Sequence, residues 1–516
     1  MTLLPQKRVL SSINLPSVIY AIPVLFVILL GITSLYFPFG PDQASIFTGA
    51  LSIRDGGQLY VDYWDNKQPG LFWFYAIAGW LFGYSEFGVH SLELICLVVL
   101  SLTLVWFLRS QLHVKMLAAL APLACVASYY ASATELELAQ LEMLVSLPIM
   151  LGIICLVKAY ETAINISLLW FLSGIMAGVL VAFKLLLGAV FIVLWLWCIW
   201  VDCRTRITWQ NTISLRLLPA GLGALVVILP LCLWFYTQGT LSQFIWTSFV
   251  YPPLALQSSP AASYTRLVTA LFFFTEFTLL WTPFVAYAVF KFIKGVRDKF
   301  IGLVIAWLCI AILLFLVQKF SWYHYHTLLF FVPVGLLGLI GLDLLVKDVF
   351  RNFTNTQINI AVMLFIFCAA SSVFSPLIQR TELLLHHYFI GNQGVKGYQN
   401  DVSDMFQRQW LSAQFLKEPS TIQGPIYVLG NPMIYQYSGR EIPHPIVGSA
   451  WEFYLPEQID HIRSTLISKQ VPYLFVGVED YKVFRLNLSL KSLIDEHYRL
   501  ISVDSAGRWY LNNVYQ

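Results

Sequence analysis

The sequence predicts an α-helical polytopic membrane protein with about 11 transmembrane helices and a small α/β domain at the C-terminal end. Hydrophobic residues make up 58% of the chain and charged residues only 11%, whereas soluble domains usually contain about 25% charged residues. Apolar runs of roughly 20 residues, each long enough to cross about 30 Å of hydrocarbon, recur between Ser17 and Leu377.

The apolar runs predict the individual spans. We expect them at 17–37, 88–108, 115–131, 141–158, 167–183, 185–201, 213–236, 267–290, 300–318, 326–346 and 357–377. The first run is too long for the apolar region of a signal peptide and lacks a small-residue cleavage site, so it is predicted to be a permanent span. The run Gly70–Gly83 has only about 14 residues and suits an interfacial or re-entrant helix better.

Basic residues are unevenly distributed between the two sets of alternate loops. One set contains Lys7, Arg8, Arg109, Lys115, Lys158, Arg204, Arg206, Arg216, Lys291, Lys294, Arg297, Lys299, Lys347 and Arg351, and the other contains Arg54, Lys67, Lys184, Arg266 and Lys319. The positive-inside rule therefore predicts a cytoplasmic N-terminus and an extracytoplasmic first outer loop at 38–87. The odd number of spans predicts an extracytoplasmic C-terminal tail. A bacterial inner (plasma) membrane is expected, because the tail has no cysteine for disulfides and the chain has no ER retention signal.

The tail has a mixed polarity that the rest of the chain lacks. Strands are predicted at Pro425–Leu429, Tyr473–Val478, Arg499–Val503 and Trp509–Val514, and helices at Pro456–Lys469 and Asn487–His497. We therefore expect a transmembrane domain at 1–390 and an extracytoplasmic α/β domain at 400–516. The tail contains no GxGxxG or GxxxxGK[ST] motif, so a nucleotide site is not expected. A formal charge of +3 gives no reason to expect nucleic acid as a partner.

The first outer loop concentrates acidic residues directly after the first span. Asp42 follows Gly40 by two residues, so its carboxylate is expected near the headgroup plane. There it could deprotonate a hydroxyl acceptor, and partial desolvation would raise its basicity. The alternative is a solvated loop aspartate. Asp55, Asp62 and Asp65 are expected to be solvated or structural.

Two lysines and a glutamate accompany these aspartates at predicted span ends. Lys67 either reaches lipid phosphate from an interfacial helix or neutralises a phosphate leaving group. Lys184 interrupts VLVAFKLLLGAVFIVL, and because a lysine facing lipid costs several kcal/mol, we expect it to face a polar cavity or the interface. Glu142 begins a span and could share roles with Asp42 or simply favour a helix N-terminus. Glu137 looks loop-exposed.

The loop QKFSWYHYHTLLFFVP contains His324 and His326 among aromatic residues. An interfacial aromatic belt explains the Trp and Tyr residues, and the histidines could contact phosphate or sugar hydroxyls. The loop has no cysteine or third patterned ligand that would indicate zinc. The eight cysteines lie in or beside apolar runs without CxxC spacing, which is typical of buried hydrophobic residues.

Taken in order, these residues resemble the GT-C superfamily of polytopic glycosyltransferases, which includes protein O-mannosyltransferases and lipid A aminoarabinose transferases. The resemblance covers about residues 17–346. Asp42 matches the family's essential acidic residue in the first extracytoplasmic loop. The stretch from Lys67 to Trp73 matches the family pattern K-P-P-L-x-x-W and departs from it at Gln68 and Gly70.

Later motifs match in the same order. Glu142 aligns with a second acidic position that is usually Asp, and Lys184 matches an L-x-K lysine. His326 fits the pattern H-Y-(x)5-P by its spacing to Pro333, although the tyrosine precedes it. His324 and the tyrosine after it match the dipeptide but not the spacing. A small extracytoplasmic α/β domain after the last span is also common in this family.

The resemblance implies a transferase that moves a sugar from a polyprenyl-phosphate donor to a lipid, glycan or protein hydroxyl with inversion. It implies that Asp42 is the base, that Glu142 assists or positions the acceptor, and that Lys67 and Lys184 bind the donor phosphate. An apolar groove between spans would hold the prenyl tail. No cofactor is required; a divalent metal is possible, but no ligand set is recognisable. The predicted substrate-binding residues are Tyr60, Asp62, His324 and His326.

Two alternatives remain open. A lipid or solute transporter or flippase would also be polytopic, but the spans show no duplicated halves and the polar residues gather at one membrane boundary. An oligosaccharide polymerase or ligase would share the donor chemistry, but would usually have a large outer loop late in the bundle, whereas here the largest is early.

Overall fold

The computed structural model describes residues 18–162, 165–203, 208–258, 264–296, 298–318, 322–349, 355–391, 393–448, 455–478, 480–481 and 488–515. Four helices that position the site are labelled α1 (Val18–Ser34), α2 (Pro41–Arg54), α3 (Pro69–Phe82) and α4 (Glu86–Gln111). The other α-helices are Ser128–Ser132, Leu141–Leu144, Ser146–Glu161, Ile166–Phe183, Gly188–Cys203, Trp209–Thr212, Leu218–Thr237, Leu241–Ile245, Tyr251–Ser258, Tyr264–Thr278, Thr282–Ile293, Lys299–Val317, Leu328–Val349, Asn355–Leu385, Gly394–Val402, Asp404–Gln414, Met433–Ser438, Pro456–Ser468 and Leu488–His497. Short 3-10 helices lie at Lys115–Leu120, Leu185–Leu187, His324–Thr327, Phe415–Lys417 and Asn513–Tyr515, and π-helical segments at Leu123–Ala127, Ile213–Leu217, Trp246–Val250 and His386–Ile390.

Seven of the described helical segments are long and apolar enough to cross a membrane. They are Glu86–Gln111, Leu141–Glu161, Ile166–Phe183, Leu185–Asp202, Trp209–Thr237, Lys299–Val317 and His324–Val349. A bent pair, Ile360–Ser371 with Val373–Ile390, would make eight if it forms one span. The predicted polytopic helical architecture is confirmed, and the number of about 11 spans stays a prediction.

A proline accompanies the interruption of two of the stretches predicted as continuous spans. The stretch 267–290 divides into Tyr264–Thr278 and Thr282–Ile293, with Pro283 in the first turn of the second helix. The proline ring disfavours helical geometry in the preceding residue, so a helix tends to begin there. The stretch 115–131 changes from 3-10 to π geometry around Pro122. Proline removes a helical hydrogen-bond donor and thereby disturbs the regular ladder.

The first outer loop contains two short helices, and prolines begin both. Pro41 opens α2 and Pro69 opens α3, at the position where proline's missing N–H costs nothing. The predicted short helix at Gly70–Gly83 is observed as α3, which has 14 residues. It ends at Gly83, whose φ of 95° favours a residue without a side chain. The loop therefore presents two helix N-termini close to its candidate residues.

The helix Leu328–Val349 lies at the centre of the bundle and is buried along most of its length. Its glycines allow a neighbouring helix to approach closely. A Cβ at Gly341 would lie 1.8 Å from the Phe284 carbonyl oxygen, and one at Gly338 would meet the Trp281 side chain at 2.9 Å. Small residues at such contacts are typical of packed membrane helices. This buried helix provides a rigid support for the histidines that precede it.

The C-terminal tail forms a four-stranded mixed sheet in the order β1-β2-β4-β3. The strands are β1 (Ile426–Leu429), β2 (Tyr473–Gly477), β3 (Tyr498–Val503) and β4 (Gly507–Asn512). β1 and β2 are parallel, whereas β4 is antiparallel to both β2 and β3. Each predicted strand overlaps an observed one, so the small mixed α/β unit is confirmed. The domain boundaries at 390 and 400 stay predictions.

The sheet domain contacts the first outer loop through main-chain groups. The Trp64 N–H donates to the Pro445 carbonyl over 3.0 Å, and Trp64 forms a β-bridge with Ile446. On the other side, Gly448 forms a bridge with Leu429 of β1. The segment 445–448 thus joins the loop to the edge of the sheet.

Part of the predicted orientation depends on residues that lie outside the described ranges. They are Lys7, Arg8, Arg204, Arg206, Arg297, Lys319 and Arg351. The sidedness of the bundle therefore stays a prediction.

Candidate functional site

Four residues that are far apart in sequence form one polar cluster. Lys67 Nζ lies 3.1 Å from Asp42 Oδ1, and Lys184 Nζ lies 3.3 Å from Glu142 Oε1. Asp42 is within electrostatic range of both Lys184 and Glu142, which joins the two ion pairs. The structure thus brings together the four side chains that the sequence predicts to act together.

Asp42 lies in the first turn of α2, directly after Pro41. A carboxylate at this position interacts favourably with the helix dipole. The Tyr325 hydroxyl and the Lys67 ammonium both donate hydrogen bonds to it. Its side chain is 25% exposed, so a ligand can reach it.

The ionisation of Asp42 differs from the sequence-based expectation. Burial raises the pKa of its carboxyl, but the Lys67 charge, the Tyr325 hydroxyl and the more distant Lys184 together bring the pKa below its ordinary value. The expected increase in basicity is therefore wrong, because desolvation is outweighed by these donors and charges. Asp42 is held ionised, and can accept a proton at neutral pH.

Lys67 is clamped between two carboxylates. Its Nζ lies 3.2 Å from Asp65 Oδ2, and its backbone N–H donates to Asp65 Oδ1 over 2.9 Å. Asp65 is predicted from the sequence to be either solvated or structural. It is almost fully buried, which fits a structural role. The Tyr60 hydroxyl donates to the Lys67 carbonyl over 2.7 Å. These bonds fix the lysine within the cluster, where 17% of its side chain is exposed.

The second ion pair leaves one carboxylate oxygen available. Lys184 follows the last residue of the helix Ile166–Phe183 and also donates to Gln318 Oε1 over 2.7 Å. Glu142 is buried, and within the described part of the chain its Oε2 has no hydrogen-bond partner. A buried carboxylate oxygen without a partner is unusual in a folded protein. It is therefore free to accept a hydrogen bond from a ligand.

The two histidines occupy different positions. His326 is buried with its Nε2 3.9 Å from Glu142 Oε1, which is too long for a hydrogen bond. Its Nδ1 has no partner among the residues that the structure describes. His324 instead contacts Glu137 through Nε2 and packs against Phe273. His326 therefore borders the cluster, whereas His324 lies at its margin.

Glu137 is buried, so the expectation that it is loop-exposed is wrong. Its Oε2 accepts from both the backbone N–H and the hydroxyl of Thr134, each over 2.7 Å. These bonds, with the His324 contact, compensate its burial.

Tyr60 and Asp62 occupy different environments in the first outer loop. Tyr60 is buried and stacks on Phe235 and Phe244 while its hydroxyl supports the Lys67 backbone. Asp62 is exposed, and its Oδ2 accepts from the Gln58 backbone N–H over 2.7 Å. Both residues thus stabilise the loop locally, and their predicted substrate contacts stay predictions.

An apolar groove of about 480 Å³ extends between α3 and the helices Ile166–Phe183 and Leu218–Thr237. It is lined by Gly70, Trp73, Phe74, Ile77, Val179, Ala182, Phe183, Val227, Pro230, Leu231 and Trp234. Gly70 follows Lys67 by three residues and Phe183 directly precedes Lys184, so the groove begins beside both lysines. A Cβ at Gly70 would lie 2.6 Å from the Ala182 carbonyl oxygen, which explains how the helices approach there. The groove suits a hydrocarbon chain.

Three cluster residues had no clear signal in the sequence. Each contributes through a contact that the fold creates: Asp65 with Lys67, Gln318 with Lys184, and Tyr325 with Asp42. Tyr325 looks like an ordinary interfacial aromatic residue, and Gln318 like the polar end of an apolar run. Within the described ranges, no three His, Cys, Asp or Glu side chains are arranged to hold a metal ion.

No protein-family model matches the chain, and no curated protein sequence matches it either. Solved structures do match. ArnT from Cupriavidus metallidurans bound to undecaprenyl phosphate aligns with a TM-score of 0.59 and 14% identity over 96% of this chain and 97% of ArnT. Its apo state aligns with a TM-score of 0.60 and 15% identity over 96% and 98%. The archaeal oligosaccharyltransferase AglB from Archaeoglobus fulgidus, in complex with an inhibitory peptide and a dolichol-phosphate, aligns with a TM-score of 0.47 and 13% identity, covering 97% of this chain and 74% of AglB.

At such low identity, the ArnT comparison establishes the fold. The alignment includes the membrane bundle and the sheet domain, because it extends over nearly the full length of both chains. The resemblance that the sequence motifs indicate is thus confirmed at the level of the fold. The chain shares the GT-C fold with ArnT.

Proposed function

We propose that this protein is a membrane glycosyltransferase that moves a sugar from a polyprenyl-phosphate donor to a hydroxyl of a lipid, glycan or protein acceptor, with inversion. The main support is the convergence of Asp42, Lys67, Glu142 and Lys184 beside an apolar groove. The undecaprenyl phosphate bound by the structurally similar ArnT supports this class of donor.

The donor binds through two chemically different parts. Its prenyl tail enters the groove between α3 and the helices Ile166–Phe183 and Leu218–Thr237, where aromatic and aliphatic side chains surround it. Its phosphate approaches Lys67 and Lys184, which are close in sequence to the groove-lining residues Gly70 and Phe183. Ammonium groups form strong, charge-assisted hydrogen bonds with phosphate oxygens.

Transfer proceeds by direct displacement at the anomeric carbon. The acceptor oxygen attacks from the face opposite the phosphate and gives its proton to Asp42, while the bond from the anomeric carbon to the phosphate oxygen breaks. The polyprenyl phosphate leaves with the additional negative charge, which Lys67 and Lys184 stabilise. As Asp42 becomes neutral, it attracts Lys67 less, so more of the lysine charge is available to the leaving phosphate.

Glu142 and His326 provide the remaining polar atoms of the site. Glu142 Oε2 accepts a hydrogen bond from a hydroxyl of the sugar or of the acceptor, and His326 Nδ1 is a second buried polar atom available to the ligand. Such bonds satisfy buried polar atoms that otherwise have no partner among the described residues. The same hydrogen bonds would orient the attacking hydroxyl, and such orientation of a reacting group strongly increases the rate of transfer.

The proposal is tested with purified protein and synthetic polyprenyl-phosphate donors with labelled sugars. We expect Asp42→Asn to reduce transfer about 10²- to 10⁴-fold, because the amide cannot accept the acceptor proton. Asp55→Asn is the matched control, because Asp55 immediately follows α2 but is 61% exposed and pairs with Arg54.

Two results would contradict the proposal. Full transfer by the Asp42→Asn variant would mean that the base lies elsewhere. Absence of transfer from every donor, combined with saturable uptake of a solute or lipid into vesicles, would favour the transporter alternative.

A further inference from the structure

The turn at 133–140 determines where Glu142 lies, because it leads directly into the helix that begins at Leu141. Ala139, the next-to-last residue of this turn, has a φ of 54°. A residue with a side chain is disfavoured in this left-handed conformation and persists there when its surroundings hold it. The turn therefore depends on groups from other elements.

The first of these groups is Gln43, the neighbour of Asp42 on α2. Its Nε2 donates to the Leu138 carbonyl over 2.8 Å and to the Leu136 carbonyl over 3.2 Å. Its side chain is buried. The Gly40 backbone N–H adds a bond of 3.2 Å to the Glu135 carbonyl. The element that presents one carboxylate of the site is thus hydrogen-bonded to the turn that presents the other.

The second group is Glu93 on α4, a fully buried carboxylate. Its Oε1 accepts from the Ala139 backbone N–H over 2.8 Å and also from the Tyr129 hydroxyl. Its Oε2 lies 3.2 Å from His90 Nδ1. A carboxylate inside an apolar helix is costly, and functional roles are the usual reason for one. The catalytic steps proposed above do not use Glu93, and its bonds are directed at the turn.

We propose that Gln43 and Glu93 are positioning residues that hold the 133–140 turn from two sides and so fix the separation of Asp42 and Glu142. This inference rests on the proposed function, since it assigns a purpose to that separation. Gln43 acts as a hydrogen-bond donor to two carbonyls, and Glu93 acts as an acceptor for one backbone N–H. Neither residue touches substrate.

The acceptor role of Glu93 makes a distinctive prediction. Glu93→Gln keeps an oxygen for the Ala139 N–H, and its amide group faces His90, so the turn stays in position. Glu93→Met has a similar volume but no acceptor. Gln43→Met and Gln43→Glu both remove the donor. Gln58→Met is the matched control, because Gln58 also donates to a carbonyl, that of Gln238 over 3.1 Å, but at an exposed position.

Two measurements on the full-length protein test the inference. Hydrogen exchange of the 133–140 peptide reports the turn itself, and we expect exchange about tenfold faster in Gln43→Met, Gln43→Glu and Glu93→Met than in wild type. Sugar transfer reports the geometry of the carboxylates, and we expect kcat about 10²-fold lower in these variants with the donor KM within about twofold. Glu93→Gln and Gln58→Met should stay within about threefold of wild type in both measurements.

Several outcomes would overturn the inference. Equal losses in Glu93→Gln and Glu93→Met would assign the effect to charge and not to hydrogen-bond acceptance. Unchanged exchange of the turn in the donor-free Gln43 variants would also refute it, as would a loss confined to KM. If the wild type transfers no sugar, the proposed function fails, whereas the exchange measurement still decides whether these residues hold the turn.

Discussion

Lys67 determines much of the chemistry at the scale of single residues. It lies between Asp42 and Asp65, so one ammonium group pairs with both carboxylates and reduces the repulsion between them. This arrangement keeps an ionised carboxylate beside an ammonium group, as the proposed mechanism requires. The balance of charge within the cluster, and not burial alone, sets the protonation state of Asp42.

The pH dependence of transfer follows from this balance. The pKa of Asp42 is below its ordinary value, and the proposed mechanism requires the ionised form. We therefore expect kcat/KM to be constant near neutral pH and to decrease only in acid, as Asp42 is protonated. Tyr325→Phe removes a hydrogen bond that lowers this pKa, so the acidic limb should move to higher pH. A pH–rate profile measures the shift.

Tyr84→Phe serves as the control for this profile, because Tyr84 belongs to the same loop region but interacts with Arg54. Its acidic limb should coincide with that of the wild type. An unchanged limb in Tyr325→Phe would mean that the Tyr325 hydroxyl does not stabilise the Asp42 carboxylate in solution.

The charged members of the site were predictable from sequence, and their supporting residues were not. Lys184 and Glu142 stand out because charges in apolar runs are costly. Gln43 has no such signal, and Asp65 does not stand out from the other aspartates of the first outer loop. Their importance depends on the contacts that the fold creates, which are local for Asp65 with Lys67 and distant for Gln43 with Leu138.

At the scale of elements, the groove depends on the approach of α3 to the helix Ile166–Phe183 at Gly70. Ala182→Phe would introduce a large ring into this groove. We expect the KM of a long-chain polyprenyl donor to increase at least about tenfold, because the tail loses apolar contact area. A donor with a short prenyl chain should be affected less, and steady-state kinetics with both donors measures the difference.

Leu222→Phe is the matched control, because Leu222 lies on the helix Leu218–Thr237 but is exposed and does not line the groove. Equal effects of Ala182→Phe on the two donors would argue that the tail binds elsewhere.

Helix boundaries illustrate where local sequence information is sufficient. Pro41 and Pro69 begin α2 and α3, as the preference of proline for first turns predicts. The interruption near Pro283 was not expected, because the apolar run continues through it. Hydropathy measures the composition of a segment and is insensitive to the local geometry that divides one helix into two.

At the scale of the whole molecule, the cluster and Lys158 mark opposite ends of the same helical segment. Leu141–Glu161 has 21 residues, which corresponds to about 30 Å. If the first outer loop is extracytoplasmic, a cysteine at Asp55 should react with a membrane-impermeant maleimide in intact cells. A cysteine at Lys158 should react only after the cells are permeabilised.

The reverse pattern would place the cluster on the cytoplasmic side and contradict the proposed orientation, which derives from the distribution of basic residues. The native cysteines all lie in or beside apolar runs, so the unmodified chain provides the background measurement.

The main-chain pairing of Trp64 with 445–446 has a consequence for evolution. Backbone amides and carbonyls are common to nearly all residue types, so an interface made from them tolerates extensive substitution in both segments. Two descendants of one ancestor can therefore keep the tail domain in contact with the first outer loop while little recognisable sequence survives. Such a contact can preserve the fold after the sequence has diverged, which agrees with an architecture that aligns over nearly its full length at 14% identity.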